Sequence, residues 1–353
     1  MTSSPSGKSW LFPVAGIAIV AVIGLLVFRA TQSSEATEEP TPATGSAEAA
    51  GSPASGAPAA PGTLTIKHGQ GETVVPKHPK RVVVFDPVAL DMLDALGVEV
   101  LGVPDNLLPP HLKAYEGEKY LKLGTRFEPN YEAVSKAKPD LVISGSRSSP
   151  KYPDLAKIAT TIDLPADDTR FIETVISNTE LLASIFDKQE KAKELTDKLR
   201  ADIAALKEKT KDRGTGLIIL TTGGKISAYG PGSRFGAIHT DFGVPVAKEG
   251  LNPSRHGESI GSEFIQKTNP DWLFVVDRDV AVGNEAGAEK LLDNELVRQT
   301  TAWKKKQVVY LDATSAYLAA GGIQAISKLL SQIREAYDKV IAAAEPAAAE
   351  ASP

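Results

Sequence analysis

Glu132-Ala-Val-Ser-Lys-Ala-Lys-Pro-Asp-Leu-Val-Ile-Ser-Gly-Ser-Arg147 and Glu263-Phe-Ile-Gln-Lys-Thr-Asn-Pro-Asp-Trp-Leu-Phe-Val-Val-Asp-Arg278 align without a gap at an offset of 131 residues. Glu132, Lys136, Pro139, Asp140 and Arg147 coincide with Glu263, Lys267, Pro270, Asp271 and Arg278. Each passage reads as a short helix stopped by Pro-Asp, then an apolar run of strand length, then an arginine just past its end. A helix–Pro-Asp–strand unit is common in α/β proteins and says little alone. Five matches in one register point to an internal duplication.

Working outward, a strand opens each half: Arg81-Val-Val-Val-Phe85 and Gly216-Leu-Ile-Ile-Leu220. Each is followed by a helix-like segment closing on Gly-Val, at Gly97-Val98 and Gly243-Val244. This alternation predicts an α/β protein of two Rossmann-like lobes, 63–168 and 212–343. The stretch 169–211 between them has apolar residues at helical spacing, among them Phe171, Val175, Leu195, Leu199, Ile203 and Leu206. A long connecting helix is expected there, with a break near Asp187-Lys188.

The ends have a different character. After a short segment 1–9, Trp10 to Phe28 are 19 residues without a charge, between Lys8 and Arg29. That approaches the ~20 residues needed to span a bilayer, so 10–28 reads as a transmembrane anchor or, if cleaved, a signal. Residues 29–62 are mostly Ala, Pro, Ser, Thr, Gly and Glu, and read as a disordered linker. The tail 344–353 reads the same way. With no cysteine there is neither a disulfide nor a thiol for lipid attachment. The formal charge of −5 is carried largely by the ends, leaving 37 basic and 38 acidic residues between 63 and 344. A near-neutral globule has no basic field to attract nucleic acid.

In open α/β sheets ligands bind beyond the carboxyl ends of the strands. Arg147 and Arg278 fall there, one per lobe, and Arg234 lies in the glycine-rich run Tyr229-Gly-Pro-Gly-Ser-Arg-Phe-Gly236, read as a loop after the Gly216–Leu220 strand. Any one of them could be a surface ion pair. Three around a cleft would give fixed charge and directed donors for a compact anion. His256 and Tyr317 stand beside glycines and are further candidates, both of residue types able to ligate Fe(III). Enzyme signals are missing: Gly223-Gly-Lys225 lacks the spacing of a phosphate loop, His68-Gly-Gln-Gly71 is no dinucleotide signature, and there is no G-x-S-x-G elbow. The five histidines show no ligand spacing for a bare divalent metal.

Gly232-Ser-Arg-Phe-Gly236, Arg255-His-Gly-Glu-Ser259, Val275-Val-Asp-Arg278 and Tyr317-Leu-Ala-Ala-Gly321 resemble the substrate-binding components of iron–siderophore ABC importers, in particular those for catecholates of the petrobactin kind. The resemblance covers residues 63–343. It implies a class III periplasmic-binding-protein fold, no catalytic activity and no intrinsic cofactor. Its ligand would be a ferric siderophore held by Arg147, Arg234 and Arg278. His256 and Tyr317 match positions that reach iron when the siderophore leaves coordination sites empty. Glu132 and Glu263 match the glutamates that dock each lobe on an ABC permease. A monomer on the extracytoplasmic face of the membrane is the expectation. The chain departs from the family pattern in two places: Arg147 lies one residue beyond the usual position, and there is no cysteine to be lipidated. Heme, a corrinoid or a hydroxamate siderophore are alternative ligands. A surface α/β enzyme, or an adhesive module on a stalk, are the readings from other classes.

Overall fold

The computed structural model describes residues 62–105 and 107–350, with side chains to 343. The anchor or signal at 10–28 and the linker up to 61 lie outside the described residues. Two five-stranded sheets form the framework. The first runs in the order β5 (Leu121–Lys122), β4 (Gly102–Val103), β3 (Val82–Val84), β6 (Leu141–Gly145), β7 (Thr161–Leu164), all parallel. The second runs β10 (Glu258–Ile260), β9 (Lys225–Tyr229), β8 (Gly216–Thr222), β11 (Trp272–Asp277), β12 (Val308–Tyr310). Here β8, β11 and β12 are parallel, while β9 and β10 are antiparallel additions at one edge. The central strands β3, β6 and β11 are buried along their whole length. Such strands are covered on both faces, which is why they read as unbroken apolar runs rather than alternating ones.

The duplicated passage does the same structural work twice. The helices Tyr131–Ala137 and Ser262–Thr268 each end on a left-handed residue, Lys138 and Asn269, both at φ 46°. Proline follows and forbids another helical turn. The next aspartate then holds the start of the neighbouring strand. Asp140 Oδ2 accepts from the backbone N–H of Lys80 (2.8 Å) and Arg81 (3.0 Å), and Asp271 Oδ2 accepts from Thr215 N–H (2.9 Å). These contacts set the registers Val82 against Leu141 and Gly216 against Trp272.

Several elements differ from the sequence expectation. An unpredicted antiparallel hairpin, β1 (Thr63–His68) with β2 (Gly71–Pro76), opens the first lobe, and the His68–Gly71 run is its turn. It docks on β7 through Gly69 N–H to the Asp163 carbonyl (2.8 Å). The Arg234 loop follows β9, not β8, because Gly223 and Gly224, both at positive φ, turn the chain back into a hairpin. The connector is two helices, Phe171–Phe186 and Gln189–Thr210, broken where Asp187 adopts φ 51°. The last helix, Ile323–Glu350, continues through residues read as a disordered tail, Pro346 among them.

That last helix ties the halves together. Its first N–H groups have no partners within the helix. Fully buried Asp91, on the Pro87–Ala95 helix of the first lobe, supplies them: Oδ1 accepts from Gln324 N–H (2.8 Å) and Oδ2 from Ala325 N–H (3.0 Å). His111 Nε2 lies 2.7 Å from the same Oδ2. A side chain at Gly322 would collide with Asp91, its Cβ falling 2.3 Å from the Asp91 Cγ. Further along, Tyr337 stacks on Trp272 of β11, with centroids 3.9 Å apart.

Candidate functional site

A cavity opens at the carboxyl ends of β3, β6, β9 and β11, with residues from both sheets around it. It holds about 650 Å³ of empty space and is lined by Arg126, Arg147, Arg234, Arg255 and Arg278 together with Asp86, Phe127, Ser146, Tyr317, Leu318 and Val282. A neighbouring cavity of about 670 Å³ shares Asp86, Ser146, Arg234, Arg255, Tyr317 and Leu318 with it.

Local folding explains each placement. Strand β11 ends at Asp277, whose carboxylate caps the short helix Arg278–Ala281, so Arg278 leaves the sheet at once. Strand β6 ends at Gly145, and Ser146, at φ 48°, turns the chain so that Arg147 lines the cavity. Arg234 sits in a loop tied by Ser233 Oγ donating to the Gly230 carbonyl (2.6 Å) and by Tyr229 packed edge-on to Phe235. Tyr317 comes from the helix Ala313–Leu318 beyond β12.

Tyr317 is the hub. Arg278 Nε donates to its hydroxyl (2.9 Å), and Arg234 Nη2 donates to its carbonyl (3.1 Å) while lying 4.4 Å from its ring centroid. Arg278 is braced further by donating to Thr222 Oγ1 (3.2 Å). Burial by itself would raise the Tyr317 hydroxyl, but the hydrogen bond from Arg278 and the charges of Arg234, Arg278 and Arg147 outweigh it and pull the pKa below the usual tyrosine value. Burial pulls the Arg234 and Arg126 guanidinium groups down from their ordinary value, though arginine stays cationic at any physiological pH.

Among the described residues, Arg147, Arg234, Arg255 and Arg278 have no carboxylate ion-pair partner. Asp86 is the acidic side chain lining this cavity. It caps the Pro87–Ala95 helix, accepting from Val88 N–H (3.3 Å), and stands close against Gly145, where a Cβ would come within 2.6 Å of its Oδ2. Burial pushes its pKa up to about 6 against the opposing pull of Val88 N–H and Arg126. The cavity therefore carries a large excess of positive charge in a partly desolvated setting, which strengthens its hold on an anion. The described residues contain no group of three His, Cys, Asp or Glu able to cage a metal ion.

Residues 82–314 match the periplasmic binding protein family. The chain belongs to that family. As a periplasmic binding protein it is 39% identical over 281 residues to the petrobactin-binding protein YclQ of Bacillus subtilis, covering 78% of this chain and 89% of that protein. The crystal structure of YclQ superposes with a TM-score of 0.76 at 38% identity, over 78% of this chain and 98% of the other. The ferric-anguibactin-binding protein FatB of Vibrio anguillarum is 30% identical over 78% of this chain and 87% of its own length. The catecholate-siderophore binding protein VctP of Vibrio cholerae has a TM-score of 0.73 at 31% identity, over 77% of this chain and 99% of that one. The family consists of binding proteins rather than enzymes, and the two-sheet α/β architecture is the one the sequence predicts.

Of the residues singled out in the sequence, Arg147, Arg234, Arg278 and Tyr317 come together in this cavity. His256 does not: it is exposed on a turn, and its neighbour Arg255 lines the cavity instead. Glu132 and Glu263 lie away from the cavity, in the first turns of the helices Tyr131–Ala137 and Ser262–Thr268. Sequence reasoning missed Arg126, Arg255 and Asp86. Asp86 had a signal, since Asp-Pro after an apolar strand marks a capped helix start.

Proposed function

We propose that this periplasmic binding protein captures an anionic ferric siderophore of the catecholate type and hands it to the permease of an ABC importer. The observation that carries the reading is that Arg147, Arg234, Arg255 and Arg278, which have no carboxylate ion-pair partner among the described residues, line one cavity with Tyr317, on which Arg234 and Arg278 converge. A tris-catecholate ferric complex is a compact multi-anion with aromatic faces. Guanidinium groups match both features, donating to the catecholate oxygens and stacking on the rings. The relatives named for petrobactin and for a catecholate siderophore support the same ligand class. With its pKa lowered, the Tyr317 hydroxyl is suited to an iron whose siderophore leaves a coordination site open. Delivery would use Glu132 and Glu263, one exposed on each lobe. The apolar segment 10–28 would keep the chain, as a monomer, on the extracytoplasmic face of the membrane.

The test is a titration with ferric catecholate, mixed and hydroxamate siderophores, with heme and cobalamin as controls, following intrinsic fluorescence. Tight binding of ferric catecholates that is lost in Arg234→Ala supports the reading. Saturable binding of heme or a corrinoid, with no response to any catecholate complex, would keep the fold and overturn the ligand.

A further inference from the structure

The arginines account for the ligand's charge, but they are not the only unusual side chains at the cavity. Six large apolar residues are markedly exposed among the described residues, and two of them line this cavity. Phe127 is 50% exposed and Val282 is 37% exposed, and both line the arginine cavity itself, from opposite lobes. Val280, 37% exposed, sits on the same turn as Val282. Leu107, 44% exposed, reaches from the first lobe to Gly283, where a Cβ would lie 3.8 Å from its Cδ2.

Single exposed apolar residues need no explanation, but a concentration of them marks a contact surface. Here the surface is continuous with a strongly cationic cavity, and the Arg126 guanidinium lies 5.2 Å from the Phe127 ring centroid. Its occupant must therefore be anionic where it meets the arginines and apolar where it emerges between the lobes. We infer that Phe127 and Val282 form a specificity clamp, gripping the aromatic periphery of the bound complex from both sides and selecting it over equally anionic ferric complexes with a carboxylate rim. This inference rests on the proposed function and assigns the selection within the ligand class to two residues outside the arginine set. The arginines respond to charge, which ferric citrate also carries. The clamp responds to what surrounds the charge, since covering roughly a quarter of an aromatic side chain's surface is worth about a tenfold change in affinity.

Both residues are exposed, so polar replacements do not threaten the fold. The full chain, its Phe127→Ser and Val282→Ser variants, and Val74→Ser as a control on the distant hairpin would be titrated with a ferric tris-catecholate and with ferric citrate. The expected result is a roughly tenfold loss of catecholate affinity in each clamp variant, with ferric citrate affinity and the Val74→Ser protein unchanged. Equal affinities in all four proteins, or equal losses for both ligands, would overturn the clamp. Absence of catecholate binding by the unaltered chain would sink the proposed function itself, and the clamp with it.

Discussion

At the scale of single residues, the site turns on how Arg278 and Asp86 are held. Arg278 spends one N–H on Tyr317 and another on Thr222, so its guanidinium arrives already oriented. Replacing it with Ala removes a charge-assisted contact and releases Tyr317. Ferric catecholate affinity should fall about 10- to 100-fold, with a shallower salt dependence, in fluorescence titrations at two ionic strengths. Arg278→Lys should recover only part of the loss, because an ammonium cannot make both oriented contacts. Asp86 acts in the opposite sense. Its folded pKa, pushed up to about 6 by burial, stands above the ordinary 3.8, so its neutral form favours the folded state. That contribution is complete at low pH and is lost as pH rises through the window from the ordinary value to about 6. An ionised Asp86 also opposes an anion in the same cavity. Affinity should therefore tighten as pH falls from 7.5 to 5.5. In Asp86→Asn this dependence should flatten, with affinity at pH 7.5 up to about tenfold higher. Subtracting the two profiles removes the ligand's own titration, and two parallel profiles would refute the role given to Asp86. Arg147, Arg234 and Arg278 were legible in the sequence because each lies just past an apolar strand or within glycines. Arg126 was not, because the strand before it, Leu121–Lys122, is too short and exposed to leave a hydrophobic pattern.

Among the elements, the duplicated passage was readable because its shared residues do the same local work in both copies. A left-handed helix end, a proline that stops the helix and an aspartate that captures backbone N–H groups at the start of the neighbouring strand recur as a set. The hairpin at 63–76 escaped notice because it lies before the duplication and its turn resembles a failed glycine motif. The antiparallel edge strands β9 and β10 escaped because they are short and only partly buried. The cap on the last helix was also invisible, since Asp91 and Gln324 are 233 positions apart. Its energetic weight can be measured against an ordinary cap. Asn130 caps the Tyr131–Ala137 helix by accepting from Ala133 N–H (3.0 Å) at the surface, so Asn130→Ala should cost about 1 kcal/mol. Asp91→Ala would strand two backbone donors in a buried setting and leave His111 without its partner, costing about 2–4 kcal/mol in urea unfolding. Equal costs for the two variants would mean that the buried cap contributes no more than a surface one.

For the whole molecule, the question is how a filled protein is handed on. Two connector helices and the Asp91 anchor join the lobes, so they form a stiffer pair than flexible strands would make. Glu132 and Glu263 occupy equivalent places in the duplicated passage, and both are exposed. Each also has a local use. Glu132 pairs with Lys136 at 2.6 Å, an exposed contact worth little, and a carboxylate in a first helical turn favours the helix dipole. The two uses predict different outcomes. If the glutamates serve only their own helices, Glu132→Ala and Glu263→Ala lower stability by a few tenths of a kcal/mol and leave iron uptake intact. If they dock the protein, each single variant should bind ferric catecholate as tightly as the unaltered chain while slowing uptake in cells carrying the cognate importer. The double variant should abolish uptake, since both lobes then lose their contact. Replacement by Lys should be worse than replacement by Ala, because it reverses the charge at a contact that a carboxylate would make, rather than merely removing it. Full uptake by the Glu132→Lys, Glu263→Lys double variant would show that the permease recognises another surface of the molecule.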